Sequence, residues 1–428
     1  GLRTENEAVP TFRPDILKNA IEFGFKDKLA PRLGAAFDVW GDGRMRVFGS
    51  WGRYYDWTKY ELPRGSFGAE TWCIYYRGLD TLDLGSLNLD NKPGRDLWVN
   101  QGSCRDRRVP SFQDEIDPDL EPMRQASTSF GAEYQLANNS VVTVHYIHND
   151  LLETIEDVGF LNAQGDEGYL ISNPGKRQAA TQFSTGATPT GQAIPRPKRV
   201  YDALELGWSR RFSDNWFLSA NYTLSRLYGN YSGLASSDEI TTPTTGVGSS
   251  TAQQQSVTIA RPGGNVNRAW DLDELLYDAH GNRDVLGRLA TDRPHVAKVY
   301  GAYAFPFGTQ IGAFFYAGSG TPISTYVTSV NTADAFVEGR GNFYELNGTV
   351  TRDKRTPALT RTDLLLSHTV NVVGSKRLRF DLNVQNVFNQ QTTRHIFNFL
   401  NRGSGNEPGS ALIDCSHTNL TQGYDYNA

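Results

Sequence analysis

The side chains with the most chemical potential are scattered along the chain rather than gathered into a catalytic pattern. His145 and His148 lie three apart in 141-VVTVHYIH-148, whose alternation marks a strand, so they point to opposite faces and cannot share a metal. His295 follows Pro294 and reads as a polar cap at a strand entry. No Ser-His-Asp or Cys-His spacing can be assembled, and GxSxG is absent. Gly263 and Gly264 do not sit between a strand and a helix, which leaves phosphate binding unsupported. Two acidic runs, Asp114, Glu115, Asp117, Asp119, Glu121 and Asp271, Asp273, Glu274, Asp278, could offer oxygen ligands to calcium. Neither follows a calcium-loop spacing, and a solvated loop is the preferred reading of both.

Cys73 and Cys104 share one long polar segment and could close a loop disulfide in an oxidising envelope compartment; unpaired thiols are an equal reading. Aromatic residues crowd the same region: Trp51, Tyr54, Tyr55, Trp57, Tyr60, Trp72, Tyr75 and Tyr76. On an outward loop, Trp57, Tyr60, Trp72 and Tyr75 would suit capture of a sugar or peptide ligand. An aromatic girdle followed by loop self-packing competes with that reading. The expectation is a protein with no catalytic, cofactor or metal residue, whose loops could capture a ligand.

The elements that must position these residues are strands. Gly (42), Tyr (20), Phe (22) and Trp (8) are plentiful in 428 residues and Met (2) is scarce, a β-rich and turn-rich composition. The formal charge of −5 is mixed in sign, without the basic stripe that nucleic-acid binding needs. Mean hydropathy is −0.49, and no apolar run is long enough for a spanning helix. A barrel stays open, because only alternate residues of its strands face lipid.

Five pairs of alternating segments stand out: 33–40 with 44–54, 127–136 with 141–148, 201–212 with 216–228, 296–305 with 310–317, and 361–370 with 378–391. Within each pair the turn is short; between pairs, residues 55–126, 149–200, 229–295 and 318–360 are long and polar. Short turns at one end and long loops at the other match an outer-membrane barrel with periplasmic turns and extracellular loops. On the oily face, Arg210 and Arg226 fall at strand ends, where a charge reaches the headgroups. Trp40, Tyr134, Phe212, Trp216, Phe305 and Phe307 gather beside the short turns, as an interfacial girdle would. The opposite faces carry Asp38, Glu133, Glu205, Asn221, Lys298 and Asp381, which suits a wet lumen and a solvated sandwich face equally. In 378-LRFDLNV-384 the alternation is strict, and it slips at Asn386, Val387 and Phe388, where a bulge is expected.

Several stretches resemble TonB-dependent outer-membrane receptors, and more narrowly the Oar-like group: residues 29–56, 116–136, 292–308 (DRPHVAKVYGAYAFPFG), 319–325 (SGTPIST) and 380–390 (FDLNVQNVFNQ), in the family's order. The resemblance implies a barrel that, with an N-terminal plug, moves a bulky ligand using energy delivered through TonB. Such transporters have about 22 strands around a plugged lumen. About ten strands are visible, and nothing resembles a plug, a TonB-contacting box or a closing strand with a terminal aromatic.

The expectation is therefore an all-β chain. Residues 1–428 are read as one partial antiparallel transmembrane barrel of roughly ten or more strands, an internal piece of a longer precursor. Its partners would be outer-membrane lipid, the TonB complex through the absent plug, and an extracellular ligand. Two other classes stay open: a passive or structural outer-membrane barrel serving adhesion or secretion, and a soluble secreted β-sandwich that binds carbohydrate.

Overall fold

A computed structural model of the chain describes residues 1–58, 70–77, 98–107, 116–137, 139–161, 167–180, 194–231, 275–277, 286–289, 291–322, 324–327, 341–344, 355–374, 376–393 and 399–401. Ten long strands form one antiparallel meander: β1 (Ala30–Asp38), β2 (Met45–Tyr55), β3 (Arg124–Ala137), β4 (Ser140–Glu153), β5 (Arg199–Ser213), β6 (Trp216–Gly229), β7 (His295–Ala304), β8 (Thr309–Gly318), β9 (Leu359–Val373) and β10 (Lys376–Val384). Each pairs with its sequence neighbours, so the five expected hairpins are present and are joined edge to edge.

The turns show why the chain reverses where it does. Between β1 and β2, Gly41 (φ 72°) and Gly43 (φ 75°) take left-handed backbone that costs glycine least. The Asp38 carboxylate accepts from both of their N–H groups, at 3.0 and 2.7 Å. Between β5 and β6, Asp214 (φ 51°) and Asn215 (φ 71°) supply the two positive φ values of a tight hairpin turn. Arg210 reaches down to pair with Asp214 at 2.7 Å and stacks over Trp216, with 4.1 Å to the ring centroid.

Two adjacent register rows settle which side of the sheet meets what. One runs Phe37, Val47, Ala132, Val144, Leu206, Tyr222, Ala297, Ala317, Thr360 across nine strands without a charge. The next runs Asp38, Arg46, Glu133, Thr143, Gly207, Asn221, Lys298, Tyr316, Arg361. A shift of one residue reverses the face, so all the charge of these rows lies on one side. Both rows start at the short-turn end of β1 and finish at the long-loop end of β9, the stagger that tilted barrel strands require.

The uncharged face is not covered by protein among the described residues. Leu33 (66%), Phe37 (65%), Phe380 (58%) and Leu382 (58%) are exposed on it. In a soluble sandwich this face would be the interior; here it is the exterior, which removes the sandwich reading. The buried apolar cluster lies instead at the long-loop end: Val9, Ala20, Ile21, Phe23, Ile116, Ile155 and Ile171. A short hairpin, Glu7–Pro10 with Asn19–Phe23, supplies four of these residues before β1 begins.

The strands run further toward the long-loop end than the alternation alone suggests. β4 continues to Glu153, although His148 to Asn149 to Asp150 is polar, because Asp150 still pairs with Ala126 and Val200. The slip in alternation at Asn386, Val387 and Phe388 is not a bulge within a continuing strand: β10 stops at Val384, and Asn386 (φ 51°) and Asn389 (φ 48°) turn the chain away.

Candidate functional site

The inward face is a polar wall whose groups are largely tied to one another across strands. Near the short turns, Arg46 and Glu133 pair at 2.7 Å. Higher up, the Ser50 and Ser129 hydroxyls are 2.8 Å apart. His145 lies 3.4 Å from Glu205 and packs its ring 5.4 Å from that of Phe48. On the other side of the wall, His148 meets Asp202 at 2.7 Å, and the Tyr146 hydroxyl donates to the same carboxylate at 2.7 Å. The two histidines thus take opposite faces, as the strand period requires. At the last strands, Arg361 holds Asp363 with two hydrogen bonds of 2.8 and 2.7 Å, and Arg379 holds Asp381 at 2.8 Å.

At the long-loop end, three ion-pair groups anchor the loops to the wall. The first is Lys28, buried against Glu7, with Glu5 at 4.0 Å. The second centres on Glu121, which meets Arg124 (2.9 Å), Lys176 (3.4 Å) and Arg177 (2.6 Å). Burial pushes the Glu121 carboxyl up, but these cations together outweigh it and hold the group below the usual carboxylate range. Asn173 adds a reciprocal clamp, its Oδ1 accepting from Glu121 N–H at 2.7 Å and its Nδ2 donating to the Glu121 carbonyl at 2.9 Å. Close by, burial drives the Tyr231 phenol well above its ordinary range, with the Glu156 charge adding to the shift.

The third group joins two of the family-like stretches. Asp292 pairs with Arg355 at 2.6 Å and Arg288 at 3.4 Å, while Arg293 donates to the Ser319 carbonyl at 2.6 Å. Arg355 also donates to the Gly320 carbonyl at 3.0 Å. A Cβ on Gly320 would come 1.4 Å from the Thr356 carbonyl oxygen, so only glycine fits this crossing. The DRPH and SGTP stretches are thus two halves of one latch between the loops around β7, β8 and β9.

Of the residues proposed for ligand capture, Trp57 lies at this rim, half exposed, with Lys28 Nζ 5.1 Å from its ring centroid. It covers the buried ion pair while keeping one face open. Trp72 and Tyr75 lie on the strand Glu70–Arg77, paired in register with Arg105 and Gln101 of Trp98–Arg107. In the same hairpin Cys73 stands opposite Cys104. Tyr60 lies outside the described residues, as do Asp114 and Glu115 of the first acidic run and Asp271, Asp273, Glu274 and Asp278 of the second. In the first acidic run, Glu121 serves an ion-pair cluster and Asp117 Oδ1 accepts from the Asp119 N–H at 2.9 Å, which is how a structural loop uses its acids. Composition hides the partners Lys176, Arg177 and Asn173, which come from a distant loop.

Comparison with family models agrees with this architecture. A family model described as an outer membrane beta barrel domain matches residues 16–318. The TonB-dependent transporter Oar of Myxococcus xanthus is 28% identical over 388 residues, covering 85% of this chain and 31% of the relative. The chain therefore spans about a third of that relative's length. Among solved structures, the outer membrane transporter YddB from Escherichia coli superposes with a TM-score of 0.48 at 10% identity, covering 87% of this chain and 38% of that one. The ferripyoverdine receptor of the Pseudomonas aeruginosa outer membrane gives 0.41 at 12% identity, covering 88% of this chain and 31% of its own.

Proposed function

Because the chain belongs to the outer membrane β-barrel domain family and is related to the TonB-dependent transporter Oar, we propose that it is the wall of a TonB-dependent transporter. Its extracellular loops capture a ligand that then passes through a plugged lumen. The observation that carries this reading is the pair of adjacent register rows, one uncharged and outward, the other charged and inward. An inward face of paired acids, bases, hydroxyls and amides gives a bulky polar ligand a hydrated path past a plug.

On this reading residues 1–428 are a section of the wall. β10 has one strand partner, β9, among the described residues, and an unpaired outer edge is not tolerated in hydrocarbon. Strands and a plug from elsewhere in the polypeptide would complete the barrel. Trp57, Tyr60, Trp72 and Tyr75 are proposed as capture residues at its mouth, offering flat apolar faces with polar edges.

The test compares cells carrying the intact gene with a deletion strain, in medium containing siderophores, glycans and peptides, and follows solute loss by mass spectrometry. A solute lost only in the presence of the gene, and retained when a protonophore is added, supports energised transport. Gene-dependent loss that persists with the protonophore favours a passive barrel. Trp57→Ala with Trp72→Ala should slow uptake of that solute; an unchanged rate removes the capture role.

A further inference from the structure

Between the upper ends of β2, β3 and β4 the structure holds a pocket of about 380 Å³ that the transport reading leaves unused. Four basic side chains line it, Arg53, Arg124, Lys176 and Arg196, against one acid, Glu153. Arg124 and Lys176 are compensated, since both pair with Glu121 and with Glu153. The other two are not. Arg53 forms no ion pair among the described residues, and its Nε is shut away from solvent without a hydrogen-bond partner. Among the described residues the Arg196 side chain has one polar contact, a long 3.4 Å hydrogen bond from its Nε to the Gly175 carbonyl. A buried donor left without a partner is costly, and a guanidinium fork is matched best by an oxyanion that accepts two hydrogen bonds.

The pocket faces the membrane side of the wall. Met45, Val47, Gly49, Trp51 and Arg53 alternate along the outward face of β2, and Arg53 is the first charge above that uncharged series. Arg124 stands one outward position higher on β3, opposite Tyr55 and above Tyr134, Ala132, Phe130, Thr128 and Ala126. Arg53 stands two residues beyond Trp51, about 7 Å up the strand, at the height where headgroups replace acyl chains. Leu152, Pro174 and Pro197 give the pocket an apolar side.

We propose that this pocket holds the phosphate of an outer-leaflet lipid headgroup, gripped by Arg53 and Arg196, with the acyl chains lying against the belt below. The site is distinct from the lumen, and it rests on the outer-membrane location rather than on any transported ligand.

The test uses the intact protein in neutral detergent, read by native mass spectrometry after mixing with micelles that contain phosphatidic acid, the matching diacylglycerol, or inorganic phosphate alone. Phosphatidic acid should be retained and diacylglycerol lost. Joint Arg53→Gln and Arg196→Gln substitution should weaken that retention about tenfold or more. Arg226→Gln removes an outward arginine that stacks on Tyr228 outside the pocket, and should leave retention unchanged. Heat-modifiable gel mobility reports separately that each barrel is intact. Arg196→Gln alone, outside the strands, keeps the test usable where the double variant fails to assemble. Equal retention of the two lipids, or full retention by an assembled double variant, overturns the proposal. Binding of inorganic phosphate without retention of phosphatidic acid overturns the lipid assignment in favour of a soluble anion.

Discussion

Phe380 and Phe23 have the same side chain but opposite surroundings: Phe380 is 58% exposed on β10, and Phe23 is 3% exposed in the cluster at the long-loop end. On the wall, apolar side chains point away from the protein and polar ones pair across the inward face. At the rim, apolar side chains pack on one another, and charge is either buried in pairs such as Glu7 with Lys28 or turned to solvent. The wall has lipid as its apolar solvent, so it needs no packed core. The rim stands in water and must bury its own. One chain therefore carries two inverse patterning rules, divided at the level where Arg53, Arg124 and Asp202 first bring charge to the outward face.

The largest effect should come from exchanging the two phenylalanines' fates. Phe23→Ala opens a cavity in the rim and should cost about 3–5 kcal/mol of local stability. Rapid protease cleavage before β1, with gel mobility of the barrel unchanged, would show it. Phe380→Ala opens no cavity, because lipid fills the space, and should leave both readouts near wild type. Equal cost at both positions would break the distinction.

A charge discriminates the faces of the wall itself. Leu206→Arg places a cation in the outward belt and should cost about 2–4 kcal/mol near the bilayer midplane, seen in urea-dependent refolding into bilayers. Ser209→Arg, three residues along β5 on the inward face, should be nearly neutral. Comparable losses would mean that the face assignment is wrong.

At the latch, Gly320→Ala forces a side chain into the Thr356 carbonyl and should cost about 1–3 kcal/mol as overpacking does. Faster hydrogen exchange around residues 319–322 and 355–357, with β3 and β4 unchanged, is the expected result. The smallest effect is acid sensitivity at the rim. Glu121 is held below its ordinary range in the folded state, so its contribution is present at neutral pH and is lost as pH falls through the folded value. Exchange of residues 116–124 and 173–180 should rise on acidification, and Glu121→Gln should flatten that dependence.

The wall was legible in sequence because its period is two and its turns carry their own chemistry. Gly41-Asp42-Gly43 and Ser213-Asp214-Asn215 name their hairpins locally, and Leu378, Phe380, Leu382 and Val384 name their face. Period alone left that face's neighbour open between core and lipid. Pairing of nine strands in one register resolved it, since only then do Leu206, Val144 and Tyr222 become one uncharged row. The rim was poorly legible. Ile21, Ile116, Ile155 and Ile171 lie far apart in the chain and outside the five long hairpins, and no local pattern says that they meet. The same holds for Arg53 and Arg196, whose shared pocket depends on strands and a loop more than a hundred residues apart.

What the amino-acid sequence determined by itself was therefore the set of strands, their short turns and the two chemical faces, because alternation and turn residues act over a few neighbours. The tertiary structure decided which face looks outward, which acids and bases neutralise one another at the mouth, and which arginines carry no ion pair among the described residues. Those outcomes depend on contacts between distant segments, and their energies exist only once the strands stand side by side.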